Sequence, residues 1–302
     1  MFHEYALDPS VLSNWERTRY FLDAFGPWRG RLLAEYPRRW KRLVYEQLQC
    51  PDLERKRIEE RLAVLDRRVF SGRSGAPFDP LDTWLDNAVR ENGRLPFRAI
   101  VSNERRAPNV LDANALDDRE ALWRVDSGRR IPRAAAEFVK AVQILLDAST
   151  RVILVDPYFR ADQPDKTGPV VAFCSALAGR QVRLEVHFRD EPWSYDWAVQ
   201  QAERYLPGLL PLGIRLELRC WKERLGGERL HNRYLLTDVG GVQFGDGIEV
   251  GNAGQHDRMS ILDEPSWSSL WSHYASEAPA FDEAGAVRYV ESRHRPPAQG
   301  HS

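Results

Sequence analysis

The chain has 302 residues, 43% of them hydrophobic, which is enough for two domains with substantial cores. Lys and Arg together number 43 and Asp and Glu 44, so the formal net charge of −1 gives no chain-wide attraction for nucleic acid or an anionic membrane. Any binding of that kind must come from a local patch.

The three cysteines, Cys50, Cys174 and Cys220, are far apart and lack C-x-x-C spacing. This pattern argues against a zinc site or a disulfide framework, and it predicts a cytoplasmic protein without a metal or other cofactor. The N-terminal stretch MFHEYALDPS has neither a basic start nor an apolar segment, and no run approaches the roughly 20 apolar residues of a membrane span. We therefore expect neither secretion nor membrane anchoring.

The first part of the chain, residues 1–130, is predicted to be a mainly helical domain followed by a connector. Apolar residues recur at helical spacing from Pro9 to about Ala88. Between Phe97 and Pro132 the sequence is polar and broken, apart from the run PFRAIVS, which is typical of a strand. We place the end of this domain near Arg130.

Residues 131–292 are predicted to form an α/β domain. The runs RVILVDPYF, VRLEVHF and IRLELRCW are typical of strands, and the segments between them have helical spacing. Strands separated by helices of this length predict a parallel or mixed sheet flanked by helices. The polar, proline-containing tail RHRPPAQGHS, residues 293–302, is expected to be disordered.

The segment LHNRYLLTDVGGVQFGDG, from Leu230 to Gly247, is predicted to add the next strand and contains the strongest candidate site. Side chains alternate along a strand, so His231 and Arg233 would lie on one face, roughly 7 Å apart at their backbones. An imidazole can attack phosphorus or protonate a leaving oxygen, and a guanidinium can hold a phosphate through paired hydrogen bonds. The pair predicts phosphoryl chemistry without a metal, whereas a histidine alone at this place would more often be structural.

The spacing His231-x-Arg233-x4-Asp238, followed by a glycine-rich turn, resembles the H-x-K-x4-D signature of the phospholipase D superfamily. The resemblance covers about residues 130 to 290 and implies a phospholipase D-like fold for the α/β domain. It implies that His231 is the nucleophile that forms a phosphohistidine intermediate. It also implies that Arg233 binds the phosphate where the family has lysine, and that Asp238 supports the site.

Enzymes of this superfamily use two such histidines, one attacking and one protonating the leaving group. The resemblance therefore implies a homodimer that brings two copies of His231 together. The segment HDRMSILD, beginning at His256, also fits H-x-R-x4-D, but it follows too closely to be a second domain, so coincidence or a local supporting role is favoured. Glu249 or Asp257 could orient His231 as a carboxylate does in other histidine enzymes. Asn252 is the nearest counterpart of the family's downstream glycine–asparagine element.

Other residues have two interpretations each. Asp156 follows a predicted strand, where α/β sheets place functional loops, but Asp-Pro is equally a turn former. His187 ends another strand, and a structural role is favoured for it. A basic cluster in the first domain could contact a nucleic-acid backbone and stack its tryptophan on a base, but a charged helix face with the tryptophan in the core is favoured. The residues of this cluster are Arg38, Arg39, Trp40, Lys41 and Arg42.

Two functions are predicted from these features. The first is a metal-independent phosphodiesterase, specifically a nuclease, with a role in anti-phage defence suggested by analogy with bacterial nucleases of this type. The second is a weak or inactive phospholipase D-like scaffold or nucleic-acid-binding subunit, favoured by arginine in place of lysine at Arg233 and by the large N-terminal extension. In either case the helical domain could dock a protein partner.

Overall fold

A computed structural model describes residues 1–73 and 77–293. The chain divides into two compact units, Met1–Ser127 and Gly128–Ser302. The tail expected to be disordered, residues 293–302, lies outside the described residues except for its first residue. Within the described ranges, no helix combines the length and the apolar character needed to cross a membrane.

The first unit is built on a parallel sheet with the spatial order β2-β1-β3-β4. Its strands are β1 (His3–Leu7), β2 (Arg31–Leu33), β3 (Ala99–Ser102) and β4 (Val110–Asp112). Its helices are α1 (Trp15–Ala24), α2 (Trp40–Gln47), α3 (Asp52–Ala63) and α4 (Trp84–Arg94). The expectation of a mainly helical domain is therefore corrected, because this unit is α/β.

The sheet of the first unit is hard to find in the sequence because its strands are short. β1 is HEYAL, β2 is RLL and β4 is VLD, and a two-residue period cannot be recognised over such lengths. Only β3 lies in a run that has the composition of a strand. The run PFRAIVS thus supplies β3 as expected, whereas the segment expected to be a connector supplies β4.

Helices cover both faces of the first sheet. Tyr5 and Leu7 of β1 pack in a core that includes residues of α1, α2 and α3, whereas Ala6, which points the other way, packs with residues of α4. Trp40, the first residue of α2, is fully buried in the former core. Its indole N–H donates to the carbonyl of Leu7 at 2.6 Å.

The second unit is built on a larger mixed sheet with the order β12-β8-β7-β6-β9-β10-β11-β5, and β13 also pairs with β8. Its strands are β5 (Gly128–Pro132), β6 (Arg151–Val155), β7 (Arg183–Arg189), β8 (Arg215–Lys222), β9 (Arg233–Thr237), β10 (Gly241–Phe244), β11 (His256–Ile261), β12 (Asp282–Glu283) and β13 (Arg288–Glu291). Its helices are α5 (Ala135–Ala148), α6 (Pro164–Leu177), α7 (Tyr195–Tyr205) and α8 (Glu264–Ala275). The expected α/β class with a mixed, helix-flanked sheet is confirmed.

Local sequence explains where several helices begin. Asn14, Thr83, Ser194 and Asp263 each precede a helix, namely α1, α4, α7 and α8, and the side-chain oxygen of each accepts a hydrogen bond from a backbone N–H in the first turn. These caps satisfy donors that have no partner within the helix.

The central strands of the second unit place two chain segments at the same edge of the sheet. β6, β7 and β8 are parallel, and β9 runs antiparallel to β6 with Val155 opposite Tyr234. The carboxyl end of β6 therefore meets the beginning of β9. β9 starts at Arg233, so His231 precedes the strand and is not part of it, contrary to expectation. The reason is that β6 ends at Val155 and β10 at Phe244, so neither neighbouring strand extends far enough to pair with His231.

Candidate functional site

Polar side chains collect where β6 ends and β9 begins. Nε of Arg233 lies 4.0 Å from a carboxylate oxygen of Asp156, the residue directly after β6. The chain turns at Asp156, whose carboxylate accepts a hydrogen bond from the backbone N–H of Tyr158 at 3.0 Å. Asp156 thus forms the turn that Asp-Pro predicts, and its carboxylate also faces the arginine of the motif.

The ring of Tyr158 lies at the centre of this group. The guanidinium carbons of Arg189 and Arg233 are each 4.5 Å from the ring centroid, and Nζ of Lys166 is 6.0 Å away. The ring of His231 meets Tyr158 edge-on, with the two centroids 6.0 Å apart. Tyr158 therefore brings the candidate histidine together with three cations. We call this group, with Asp156, Glu249 and Arg133, the Tyr158 cluster.

Glu249 joins two cations that are distant in the sequence to the cluster. A terminal nitrogen of Arg133, just before α5, lies 2.5 Å from one carboxylate oxygen of Glu249, and Nζ of Lys166 in α6 lies 3.8 Å from the other. Lys166 also donates to the carbonyl of Tyr158 at 2.7 Å. Arg133, Lys166, Arg189 and Arg233 together outnumber the carboxylates Asp156 and Glu249. The cluster has an excess of positive charge.

Two guanidinium N–H groups of the cluster are buried without an acceptor among the described residues. They are Nε of Arg133 and Nε of Arg233, on side chains that are 14% and 21% exposed. A buried donor without a partner costs about 1–3 kcal/mol, so both groups favour a ligand with acceptor oxygens. Gly247 lies beside one of them, because a Cβ there would be in ordinary contact with Nε of Arg233 at 3.9 Å.

The buried carboxyl of Asp156 responds to this environment. Burial raises the pKa of Asp156 above its ordinary value, and the nearby charge of Glu249 acts in the same direction. The N–H of Tyr158 and the positive charges of Lys166 and Arg233 oppose that rise.

His231 is exposed, and the structure places neither of its expected carboxylate partners on it. Glu249 is paired with Arg133 and Lys166. Oδ1 of Asp257 accepts hydrogen bonds from the backbone N–H groups of Asp246 and Arg258, at 2.8 and 2.6 Å. Oδ2 of Asp257 is buried without a hydrogen-bond partner among the described residues. Neither acid has a hydrogen bond or ion pair with His231 in the described part of the chain, so the expectation that one of them orients this histidine is corrected.

Asp238 lies at the opposite end of β9 from the cluster, about 16 Å away along a five-residue strand. Its carboxylate accepts hydrogen bonds from the backbone N–H groups of Thr150 and Arg151, at 3.0 and 3.2 Å. These contacts tie β9 to the beginning of β6. Asp238 therefore supports the sheet and is not part of the cluster with His231 and Arg233.

Asn252 lies in an exposed turn and His256 begins β11 directly after it, and neither belongs to the cluster. The backbone N–H of Asn252 bonds the side chain of Gln255 at 2.8 Å, and Nδ1 of His256 lies 2.9 Å from the carbonyl of Gly254. The same turn contacts Arg133, whose backbone N–H donates to the carbonyl of Gln255 at 3.0 Å. Their role is local support of the segment that presents Arg133.

His187 belongs to a buried network on β7 and β8. Its Nδ1 accepts from the indole N–H of Trp221 at 3.1 Å, so Nε2, which lies 3.0 Å from Glu185, is the donor of a neutral ring. Burial lowers the pKa of His187. Burial acts to raise the pKa of Glu185, but hydrogen bonds from His187 and Arg151 outweigh it and lower that pKa to about 2. The role of His187 is structural.

The basic cluster of the first unit does not form a stacking surface. Trp40 is fully buried and offers no face to a base, which agrees with the favoured interpretation of a tryptophan in the core. Nζ of Lys41 donates to the carbonyl of Leu62 at 2.9 Å, and burial lowers its pKa. Arg42 pairs with Glu46 at 2.6 Å. Only Arg38 and Arg39 remain as simply exposed cations, which agrees with a charged helix face.

The first unit has a separate cavity of about 530 Å³ that the sequence did not indicate. It lies where β1 and β3 end, between which the strand order reverses, the place where open α/β sheets bind ligands. Asp8 follows β1 and accepts a hydrogen bond from the hydroxyl of Ser102 at 2.8 Å. The charged residues that line the cavity are Asp8, Glu46, Glu104 and Arg106.

Several members of the Tyr158 cluster escape sequence reasoning. Tyr158 and Arg189 lie at the carboxyl ends of β6 and β7, so a search of every strand end would find them. Arg133 and Lys166 have no comparable signal, because they reach the cluster from helix beginnings distant in sequence. No group of three or more His, Cys, Asp or Glu residues within 1–73 and 77–293 is arranged to hold a metal ion.

No protein-family model matches the chain, and no protein of curated function matches it. Among solved structures it is similar to TrmBL2, an archaeal chromatin protein described as showing a novel mode of DNA binding, with 13% identity and a TM-score of 0.25. The match covers 48% of this chain and 50% of that one, so this chain spans about half the length of the solved chain. A TM-score of 0.25 does not establish a shared fold.

Proposed function

We propose that the Tyr158 cluster binds a phosphodiester of nucleic acid and that His231 attacks its phosphorus, which makes the protein a metal-independent nuclease. The observation that most supports this is the pair of buried, unsatisfied Nε–H groups on Arg133 and Arg233. Phosphate oxygens are the acceptors that guanidinium groups bind best, often in pairs. The excess of cations over carboxylates in the cluster favours an anionic ligand in the same way.

In this mechanism a nitrogen of neutral His231 forms a bond to phosphorus while the bond to the leaving oxygen breaks. The leaving oxygen takes a proton from His231 of a second copy, which acts as general acid. Water then attacks phosphorus, the bond between phosphorus and the nitrogen of His231 breaks, and the proton of the water passes to the second histidine, which restores both rings. Arg233 and Arg189 offset the charge on the non-bridging oxygens.

The need for a second histidine makes a homodimer part of the proposal. His231 is exposed on the single chain, so a second copy can approach it across a twofold axis. Specific activity is then expected to fall when the protein is diluted below the dissociation constant of the dimer. Constant specific activity in a monomeric sample would contradict the dimer while leaving the phosphate site in place.

A second candidate function is binding of nucleic acid without turnover. It is favoured by the surroundings of His231, which has no hydrogen bond to a described side chain that would fix its orientation, whereas catalytic histidines are commonly oriented by a third group. In this case the cations of the cluster retain their role and His231 does not.

Cleavage of labelled single- and double-stranded DNA and RNA in excess EDTA tests the proposal. We expect cleavage by the parent protein, loss of cleavage in His231→Ala, and retained cleavage in His273→Ala, the matched change at a partly exposed histidine of α8 outside the cluster. Cleavage that EDTA abolishes and His231→Ala leaves intact would contradict the mechanism. Binding that is lost in Arg233→Ala, with no cleavage by any protein, would favour the second candidate.

A further inference from the structure

Two tryptophans and an arginine form a partly exposed aromatic surface after β6 and β7. The ring centroids of Trp193 and Trp197 are 5.1 Å apart, with the planes inclined by 31°. The guanidinium carbon of Arg160 lies 4.4 Å from the first ring and 5.1 Å from the second. Trp193 keeps 40% of its surface exposed. We call these three residues the tryptophan platform.

Hydrogen bonds hold two members of the platform, Arg160 and Trp197, in place. Asp162 binds the guanidinium of Arg160 through both carboxylate oxygens, at 3.0 and 2.6 Å. Trp197 lies in the first turn of α7, where its backbone N–H donates to the hydroxyl of the capping Ser194 at 3.3 Å. A surface ordered before binding loses little conformational entropy when a flat ligand stacks on it.

Short connections place the platform beside the Tyr158 cluster. Arg160 is two residues beyond Tyr158, and two residues span at most about 7 Å. Arg189, which lies over the Tyr158 ring, donates from Nε to the carbonyl of Glu191 at 2.9 Å, and Trp193 follows two residues later. A ligand with its phosphate in the cluster thus has an exposed indole within reach.

We propose that the tryptophan platform stacks a base of a single-stranded nucleic acid whose backbone phosphate lies in the Tyr158 cluster. The inference rests on the proposed phosphate site and adds the class of substrate. Bases within a duplex already stack on neighbours, whereas a base of a single strand is free to lie on an indole. Every base has a π-face, so the platform tolerates any sequence, and Arg160 adds a cation beside the stacked ring.

Binding of fluorescein-labelled oligonucleotides to the full-length His231→Ala protein, which is used so that the strand stays intact, tests this inference. We expect a single strand to bind more tightly than the matched duplex. Trp193→Ala should weaken binding of the single strand by roughly tenfold and Trp193→Phe by less, because a phenyl ring still stacks. Tyr205→Ala is the matched control, since Tyr205 in α7 is also 40% exposed but lies outside the platform.

The possible outcomes separate this inference from the proposed function. Single-strand binding that depends on Trp193 supports the inference even if the parent protein cleaves nothing. Cleavage by the parent together with equal affinity of the Trp193→Ala and Tyr205→Ala proteins would overturn the inference and leave the nuclease. Tighter binding of the duplex, or no binding of either form, would also overturn it.

Discussion

The two units of this chain contain the same kind of turn in surroundings of opposite charge. In each unit an Asp-Pro pair directly follows a central strand, with Asp8 after β1 and Asp156 after β6. Asp8 accepts hydrogen bonds from the hydroxyls of Ser10 and Ser102, both at 2.8 Å, beside a cavity whose lining carboxylates outnumber its single arginine. Asp156 instead faces Arg233 in a cluster dominated by cations.

The turn by itself therefore does not determine which ligand can bind beside it. The aspartate fixes the chain direction after the strand in both places by accepting a backbone N–H two residues on, from Ser10 in one unit and Tyr158 in the other. The surrounding side chains set the sign of the charge at the sheet edge. An anion is favoured in the second unit and disfavoured in the first.

The largest effect is expected from the arginine of the motif. Arg233→Ala removes a donor and a positive charge beside the proposed phosphate, so kcat/KM for an oligonucleotide should fall by roughly 100-fold or more. Arg233→Lys should keep part of the activity, since it keeps the charge but not the paired hydrogen bonds. Arg106→Ala in the acidic cavity of the first unit is the control. An equal loss of activity in that variant would contradict the assignment of the phosphate site to the second unit.

Substitution by asparagine should improve ligand binding at one aspartate and lower the stability of the protein at the other. Asp156→Asn removes a negative charge from the cluster, so affinity for inorganic phosphate should rise severalfold. Asp8→Asn replaces an oxygen that accepts from the Ser102 hydroxyl with an amide that competes to donate, which should lower the free energy of unfolding by about 1–2 kcal/mol. Calorimetric titration and chemical denaturation measure the two effects, and weaker phosphate binding by Asp156→Asn would contradict the assignment.

A pH dependence should distinguish Asp156 as well. Its folded-state pKa is raised above the ordinary value of 3.8, so between 3.8 and the folded value the native state binds more protons than the unfolded state. The contribution of Asp156 to stability is therefore full below pH 3.8 and is lost as the pH rises through the folded value. As the pH rises from 3.8 through the folded-state value, the unfolding free energy of the parent should fall relative to that of Asp156→Asn. A difference that does not change with pH would show that burial does not perturb this carboxyl.

The α/β class of the second unit was predictable because strands such as β7, RLEVHFR, are long, have apolar residues at alternate positions, and alternate with helices along the chain. The pairing of His231 with Arg233 was also readable from the sequence, although the strand begins only at Arg233. The sheet of the first unit was not predictable from three-residue strands such as β2 and β4. Nor was its cavity, although ALDP repeats the strand-then-Asp-Pro pattern of LVDP.

The remainder of the cluster depends on tertiary structure. Arg133, Lys166 and Glu249 are far apart in the sequence and meet only because α5, α6 and the segment after β10 converge on one edge of the sheet. Asp238 shows the opposite error, since proximity in a motif does not mean proximity in space when a five-residue strand separates the residues. The spacing of residues along a strand predicts which face of the sheet each side chain lies on. It does not bring residues at opposite ends of the same strand into contact.

The smallest effect is expected at two glycines of the turn after β10. A Cβ at Gly247 would meet Glu249 at 3.7 Å and Nε of Arg233 at 3.9 Å, which is ordinary contact, so Gly247→Ala should change stability by less than about 0.5 kcal/mol. Because the methyl group occupies the space beside the unsatisfied donor, affinity for inorganic phosphate should still fall severalfold. Gly245→Ala is the contrasting control, since its Cβ would lie 2.9 Å from Oδ1 of Asp257 and should lower stability without a specific effect on phosphate. Unchanged phosphate affinity in a well-folded Gly247→Ala protein would place the ligand away from Nε of Arg233.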